Sequence, residues 1–292
     1  MITVFTPVYN RKKEIIKLFE SLNRQTVKHF EWVIVDDGSE DGVCEVINKL
    51  IENTTCFTIK YYYQKNSGKH VAINKGVQMA SGEYFFIVDS DDYLVDDAIE
   101  RIEYNFRDVP KSYAGIGMQR ITPNGETIGR TFKGDYVDCT TAERPKYHIN
   151  GDKAEVFFTE IIRRYPFPVF EGEKFLSEAC VWYKMSADGL KIRWINEPAV
   201  VCEYLPGGLS DRSVDLAISN FKGTTHKVEV MLRCKLPIET RTKTIGNYIY
   251  IGRRLNYSIK QMSEMINVSI VECIASYSLC LLKKIIRTKF NH

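Results

Sequence analysis

Trp32-Val33-Ile34-Val35-Asp36-Asp37-Gly38-Ser39 and Phe85-Phe86-Ile87-Val88-Asp89-Ser90-Asp91-Asp92 follow one pattern: a β-prone apolar run that stops abruptly at carboxylates. Working outward, Thr3 to Phe5 and Phe57 to Tyr63 read as two further strands, with the pair above taken as Trp32 to Val35 and Tyr84 to Val88. Between them Ile15, Phe19 and Leu22 recur at helical spacing, as do Val43, Val46, Ile47, Leu50 and Ile51. A third helix is predicted from near Gly68 to Met79, and a fourth carries Ile99, Ile102 and Phe106. Strand and helix alternating in this way build βαβ units and a mainly parallel sheet, an α/β fold.

The rhythm changes after about residue 110. Gly115 to Ile121 and Glu126 to Phe132 flank a Pro-Asn-Gly turn and read as a hairpin. Helices are predicted from about Lys153 to Arg164 and from Phe175 to Met185, separated by Pro166 and Pro168. No Pro/Gly/Ser-rich linker precedes this half, so it is expected to pack on the first. Three regions result: 1–110; 111–210, a second half of the same domain; and 211–292, a helical C-terminal region.

Composition narrows the function. Forty basic against thirty-seven acidic residues give a net charge of +3, far from the excess of a nucleic-acid binder, so no nucleic-acid partner is expected. The eight cysteines stand singly, without a CxxC pair, and read as free thiols in a reducing compartment. The chain opens directly into Ile2 to Phe5 with nothing resembling a secretory leader, which makes a cytoplasmic location the expectation. Val268 to Leu282 is the most apolar stretch, followed by Lys283, Lys284, Arg287 and Lys289. It is too short and polar to span a bilayer, which needs about 20 apolar residues. It reads either as a packing helix or as an amphipathic helix on the inner face of the plasma membrane.

The chemistry lies in the acids. Open α/β sheets bind ligands at the carboxyl ends of their strands, and two strands here deliver carboxylates to that edge. Like charges brought together raise each other's pKa unless a cation compensates. Mg²⁺ or Mn²⁺ takes one or two carboxylates plus substrate phosphates, so Asp89-Ser90-Asp91 suits a metal bridging to a diphosphate. A bland alternative is that these acids cap the following helix, and Asp92 is the member best suited to that alone.

Thr6-Pro7-Val8-Tyr9-Asn10, Val35-Asp36-Asp37-Gly38-Ser39, Asn66-Ser67-Gly68 with Asn74-Lys75-Gly76, and Gly82-Glu83-Tyr84 leading to Asp89-Ser90-Asp91-Asp92 occur in that order. With these four motifs in register, the sequence resembles the family 2 inverting glycosyltransferases of GT-A fold, densely over residues 1 to 110 and thinly over 150 to 205. The resemblance implies that Thr6, Pro7 and Tyr9 lie against the nucleotide, that Asp37 receives the base, and that Asp36 supports that loop or the ribose. It further implies that Asp89, with Ser90, approaches the ribose while Asp91 holds Mn²⁺ or Mg²⁺ on the diphosphate. An Asp accepts the imide N–H of uracil, which favours UDP; guanine also presents an N–H.

Gly68, Lys69 and His70 open the third predicted helix, where free N–H groups suit a phosphate; the alternative is a plain helix entrance, with His70 structural. Asn74 belongs to the same nucleotide-side motif. Inverting transfer also needs a carboxylate to take the acceptor proton. Glu178, four residues before Trp182, fits the family's position for it, with Glu173 as alternative. The usual Glu-Asp pair is here Ser177-Glu178-Ala179. The family's basic or histidine motif is absent from Glu203-Tyr204-Leu205-Pro206-Gly207-Gly208-Leu209-Ser210, whose glycines permit closure over the donor. Trp182, Trp194, Tyr165 and Phe167 read as core rather than as a sugar-stacking platform. The expectation is a transferase moving a sugar from a nucleoside diphosphate to a saccharide or lipid-linked acceptor in surface polysaccharide or glycolipid assembly. The rivals are a non-catalytic nucleotide-sugar scaffold, a sugar nucleotidyltransferase, whose Gly-rich loop after the first strand is missing, and a phosphotransfer receiver, for which the chain is too long.

Overall fold

A computed structural model describes the backbone of residues 1–203 and 213–290 and the side chains of residues 1–203 and 213–283. Nine strands form one sheet: β1 Ile2–Val8, β2 Phe30–Asp36, β3 Thr58–Tyr63, β4 Tyr84–Ile87, β5 Asp92–Leu94, β6 Gly115–Ile121, β7 Tyr136–Cys139, β8 Lys153–Phe158 and β9 Ile192–Cys202. Their order is β3-β2-β1-β4-β8-β6-β9-β5, with β7 pairing on β9. The helices are α1 Glu14–Arg24, α2 Val43–Asn53, α3 Lys69–Met79, α4 Ala98–Phe106, α5 Thr159–Ile162, α6 Ala179–Ala187, α7 Ser213–Ser219, α8 Phe221–Arg233, α9 Ile238–Arg254, α10 Ile259–Met265 and α11 Ile270–Phe290, with a 3₁₀ helix at Thr141–Tyr147.

The first half folds as its apolar runs dictate. β1, β2, β3 and β4 pair in parallel, so their carboxyl ends share one edge. Burial of Phe5, Trp32, Val33, Ile34, Phe85 and Phe86 on both faces explains why these runs lack polar alternation. At β4 the direction reverses. β8 runs antiparallel to both β4 and β6, so its first residues lie beside the carboxyl end of β4.

The second half departs from the sequence reading in three places. The helix expected from Lys153 to Arg164 is instead β8 followed by the short α5; Val156, Phe157 and Phe158 are buried between β4 and β6, and a gap between two strands can be filled only by a third. The helix expected from Phe175 begins at Ala179, because the Lys174 and Phe175 amides donate to Asn220 Oδ1 instead. The return arm of the hairpin shrinks to a single bridge, Ile121 to Thr127, since Gly129 turns to a positive φ of 82° and packs on the Asn150 backbone.

One hydrophobic core spans the sheet and its helices, including Phe167, Trp182 and Trp194; the core reading holds for those three, and Tyr165 packs partly buried against them. A second cluster, with Phe221, Ile245, Tyr248, Ile249 and Met262 at its centre, belongs to the C-terminal helices. All eight cysteines are free thiols. Among the described residues no single helix is long and apolar enough to cross a membrane.

Candidate active site

Three elements meet above the carboxyl edge of the sheet. Lys69, in the first turn of α3, reaches 2.6 Å to Asp89 Oδ1 beyond β4 and 2.7 Å to Glu178 Oε1 at the entrance of α6. Burial pulls the Lys69 ammonium down, but the charges and hydrogen bonds of Asp89 and Glu178 outweigh it and hold its pKa above the ordinary lysine value. Burial opposes ionisation of Asp89 too, and Lys69 with Arg120 overcomes it, leaving that carboxyl below its usual range. One ammonium is therefore shared by two carboxylates.

Asp91 has no such partner at contact distance. Arg11 Nε stands 3.8 Å away, and burial, then the charge of Asp89, raise the Asp91 carboxyl above its ordinary value. Asp92 does not cap a helix: it lies in β5 and pairs with Arg120 at 2.5 Å, while burial lifts it to about 6.

On the other side of the edge, Asp37 anchors the loop that leads into α3. Its Oδ1 accepts from Gln64 Nε2 and the Ser67 amide, both at 2.8 Å. Its Oδ2 accepts from the Gly68 amide at 2.8 Å and from Asn66 Nδ2 at 3.3 Å. These four bonds fill the acceptor capacity of a carboxylate, so a nucleobase N–H reaches it only by displacing a side-chain amide. Asp36 supports the neighbouring turn, accepting from the Ser39 amide and the Tyr61 hydroxyl at 2.8 and 2.9 Å.

Gly68 enters α3 at φ 102°, and a Cβ there would run into the Lys174 carbonyl. The loop of the first half is thus pressed directly onto the approach to α6. His70 is buried, and its Nδ1 has no hydrogen-bond partner; burial lowers its pKa against the opposing charges of Asp37, Glu178 and Glu173.

The other expected nucleotide ligands are placed differently. Tyr9 is half exposed at the end of β1, and Pro7 and Ser90 are buried. Thr6 is fully buried, its hydroxyl accepting from Trp32 Nε1 at 2.9 Å, a packing role within the core. Asn74 is likewise turned away from the edge: Nδ2 donates to the Phe167 carbonyl and Oδ1 accepts from the Phe167 amide, both at 2.8 Å. Glu173 accepts from the Lys222 and Gly223 amides at 2.8 Å. It caps α8, which leaves Glu178 as the carboxylate beside Asp89. The Glu203–Ser210 loop lies, Glu203 apart, outside the described residues.

The sequence pattern described as Glycosyl transferase family 2 matches residues 3–165. The chain belongs to that family. Over 131 residues this family 2 chain is 39% identical to glycosyltransferase GlyA of Streptococcus pneumoniae serotype 4, covering 45% of this chain and 18% of that protein. Over 133 residues it is 32% identical to a chondroitin synthase of Pasteurella multocida, covering 45% and 14%. The chain therefore matches less than a quarter of either relative's length. Among solved structures, residues 1–349 of Staphylococcus aureus TarS in complex with UDP-GlcNAc superpose with a TM-score of 0.64 at 20% identity, covering 91% of this chain and 78% of that one. Mannosyltransferase PcManGT of Pyrobaculum calidifontis, in complex with GDP-Man and Mn²⁺, gives 0.54 at 18%, covering 96% and 75%. The fold is GT-A, with an added C-terminal helical region.

Among the described residues no three His, Cys, Asp or Glu side chains converge as a metal cage. A Mg²⁺- or Mn²⁺-type site in this family 2 chain asks for less, one or two carboxylates with the remaining positions left to water and diphosphate. Asp91, short of a cation at contact distance and raised by burial and then by Asp89, fits that donor set. Sequence reasoning missed Arg11 and Arg120, the cations that face Asp91 and Asp92. No motif marks either one, and only the folded edge brings them there.

Proposed function

We propose that the chain transfers a sugar from a nucleoside diphosphate, with UDP favoured, onto an acceptor hydroxyl with inversion at the anomeric carbon. The observation that carries this reading is the Lys69 bridge, which puts Glu178 and Asp89 within reach of one ammonium. A donor diphosphate at the entrance of α3 meets Lys69 and the first amides of that helix. As the ammonium turns to the phosphates, Glu178 is released from its ion pair. Glu178 then takes the proton of the acceptor hydroxyl while that oxygen bonds to the anomeric carbon and the bond to the diphosphate breaks. Asp91, with Asp89 beside it, would hold Mn²⁺ or Mg²⁺, which offsets charge on the departing diphosphate. Asp37 meets the base edge by exchanging Gln64 or Asn66 for the ring N–H.

The acceptor is read as a saccharide or lipid-linked saccharide of a bacterial surface polysaccharide, glycosylated in the cytoplasm. Contact with the inner leaflet is supported by α11, which exposes Val271, Ile274, Leu279 and Leu282.

The test incubates the full chain with UDP-glucose, UDP-galactose, UDP-N-acetylglucosamine and GDP-mannose plus Mn²⁺ and follows nucleotide release, with and without chelator. Chelator-sensitive release, abolished in Asp91→Asn, is expected. Tight nucleotide-sugar binding with no release to any offered acceptor supports a scaffold instead.

A further inference from the structure

A second cluster of polar side chains stands on the same face of the sheet as Asp89 and Glu178, and the reaction outlined above does not use it. Side chains directly opposite each other in an antiparallel pair share a face. Glu155 of β8 is opposite Gly117 of β6, and the missing side chain at Gly117 makes room for the Trp194 ring, into which a Cβ would run. The indole therefore flanks Glu155 on one side. Two residues along β8 on the same face, Phe157 packs against Trp182 of α6 with the rings tilted by 35° and centroids 4.4 Å apart, and Glu178 opens that helix.

Arg144, from the 3₁₀ helix, lies across the Trp194 ring at 4.7 Å and donates from Nη2 to the Gly151 carbonyl at 2.6 Å. Its Nε is buried and has no acceptor. No side chain among the described residues hydrogen-bonds the Glu155 carboxyl; burial lifts it to about 7 against the opposing charges of Arg144 and Arg120. A carboxyl free of side-chain partners beside a guanidinium with an unmet N–H is the equipment that hydrogen-bonds a polyhydroxylated ring.

We propose that Glu155 and Arg144, the latter held in place by Trp194, form the acceptor subsite and bind a pyranose through its hydroxyls, beside the base Glu178. This rests on the glycosyl-transfer reading and specifies where its acceptor lies. Partly protonated, Glu155 both gives and takes hydrogen bonds with sugar hydroxyls.

Saturation-transfer NMR on the full chain with UDP and Mn²⁺ present tests it, using the methyl glycosides of glucose, galactose and N-acetylglucosamine as probes. At least one glycoside should show ring-proton transfer in the parent chain. Glu155→Leu and Arg144→Met should weaken that binding about tenfold, the cost of one or two lost hydrogen bonds, and Glu155→Gln should retain it. UDP signals should persist in all three, and a single cooperative thermal melt in each confirms folding. Unchanged glycoside signals in the Leu and Met variants, or no glycoside signal beside a strong UDP signal, overturn the subsite. Loss of the UDP signal in the parent chain counts against the donor reading alone, since the glycoside signal still decides the subsite.

Discussion

Lys69 Nζ lies 2.7 Å from Glu178 Oε1, joining the first turn of α3 to the entrance of α6. The contact ties a residue of the first half to the residue proposed as base, so the two variants separate binding from chemistry. Glu178→Gln should lower acceptor-dependent nucleotide release by ~10²–10⁴-fold and leave UDP affinity near the parent value. Lys69→Met should weaken UDP binding as well. Steady-state rates together with calorimetric titration check both, and a Glu178→Gln chain of parental rate would end the assignment.

Asn74 makes a two-bond bracket to the Phe167 backbone. Asn74→Ala leaves a part-buried amide and carbonyl unpaired, at a cost of roughly 1–3 kcal/mol. Chemical denaturation should show that loss, with UDP affinity little changed. A large fall in UDP affinity at unchanged stability would instead make Asn74 a nucleotide ligand.

Gly68 combines a φ of 102° with its approach to the Lys174 carbonyl. Gly68→Ala should destabilise the chain by ~1–3 kcal/mol from backbone strain alone, and more because the carbonyl must move. A melting temperature equal to the parent's would contradict the close approach.

Burial raises Glu155 from its ordinary value to about 7, so the folded chain keeps a proton that the unfolded chain releases at lower pH. Its contribution to stability therefore falls as pH rises from the ordinary carboxylate value to about 7. Lys153, Asp152, Arg144 and Arg120 share its surroundings and remain in the variant. Glu155→Gln should melt higher than the parent at pH 8, and the difference should close towards pH 5. A constant difference across that range would show that the carboxyl titrates normally.

The exposed apolar side chains of α11 suit the interfacial region of a bilayer. Val271→Glu with Ile274→Glu should reduce co-sedimentation with phosphatidylglycerol vesicles and leave the melting temperature unchanged. Equal sedimentation of parent and variant would assign that face to something other than lipid.

The first half was legible because β2 and β4 are apolar runs that stop at acids, and both the run and the stop are local features. What Thr6 and Asn74 touch was not legible. A motif gives residue type and spacing, whereas the Trp32 indole and the Phe167 backbone that claim them are partners set by packing. β8 was misread because Lys153 to Phe158 is short and runs into Ile161 and Ile162 at helical spacing; its strand character comes from β4 and β6 on either side. The place of Glu178 four residues before Trp182 favours it, with Glu173 as alternative; that the α8 amides occupy Glu173 was not legible, because α8 lies some fifty residues further along the chain.

The reversal of direction at β8 has a further result. Because that strand begins, rather than ends, at the lip where β1, β2 and β4 finish, the acceptor subsite we propose comes from a late stretch of chain, separate from the loops proposed to grip the nucleotide. On that proposal, exchanges around residues 153 to 155 would alter product identity while keeping the donor; a parallel strand there would have left those residues at the opposite rim.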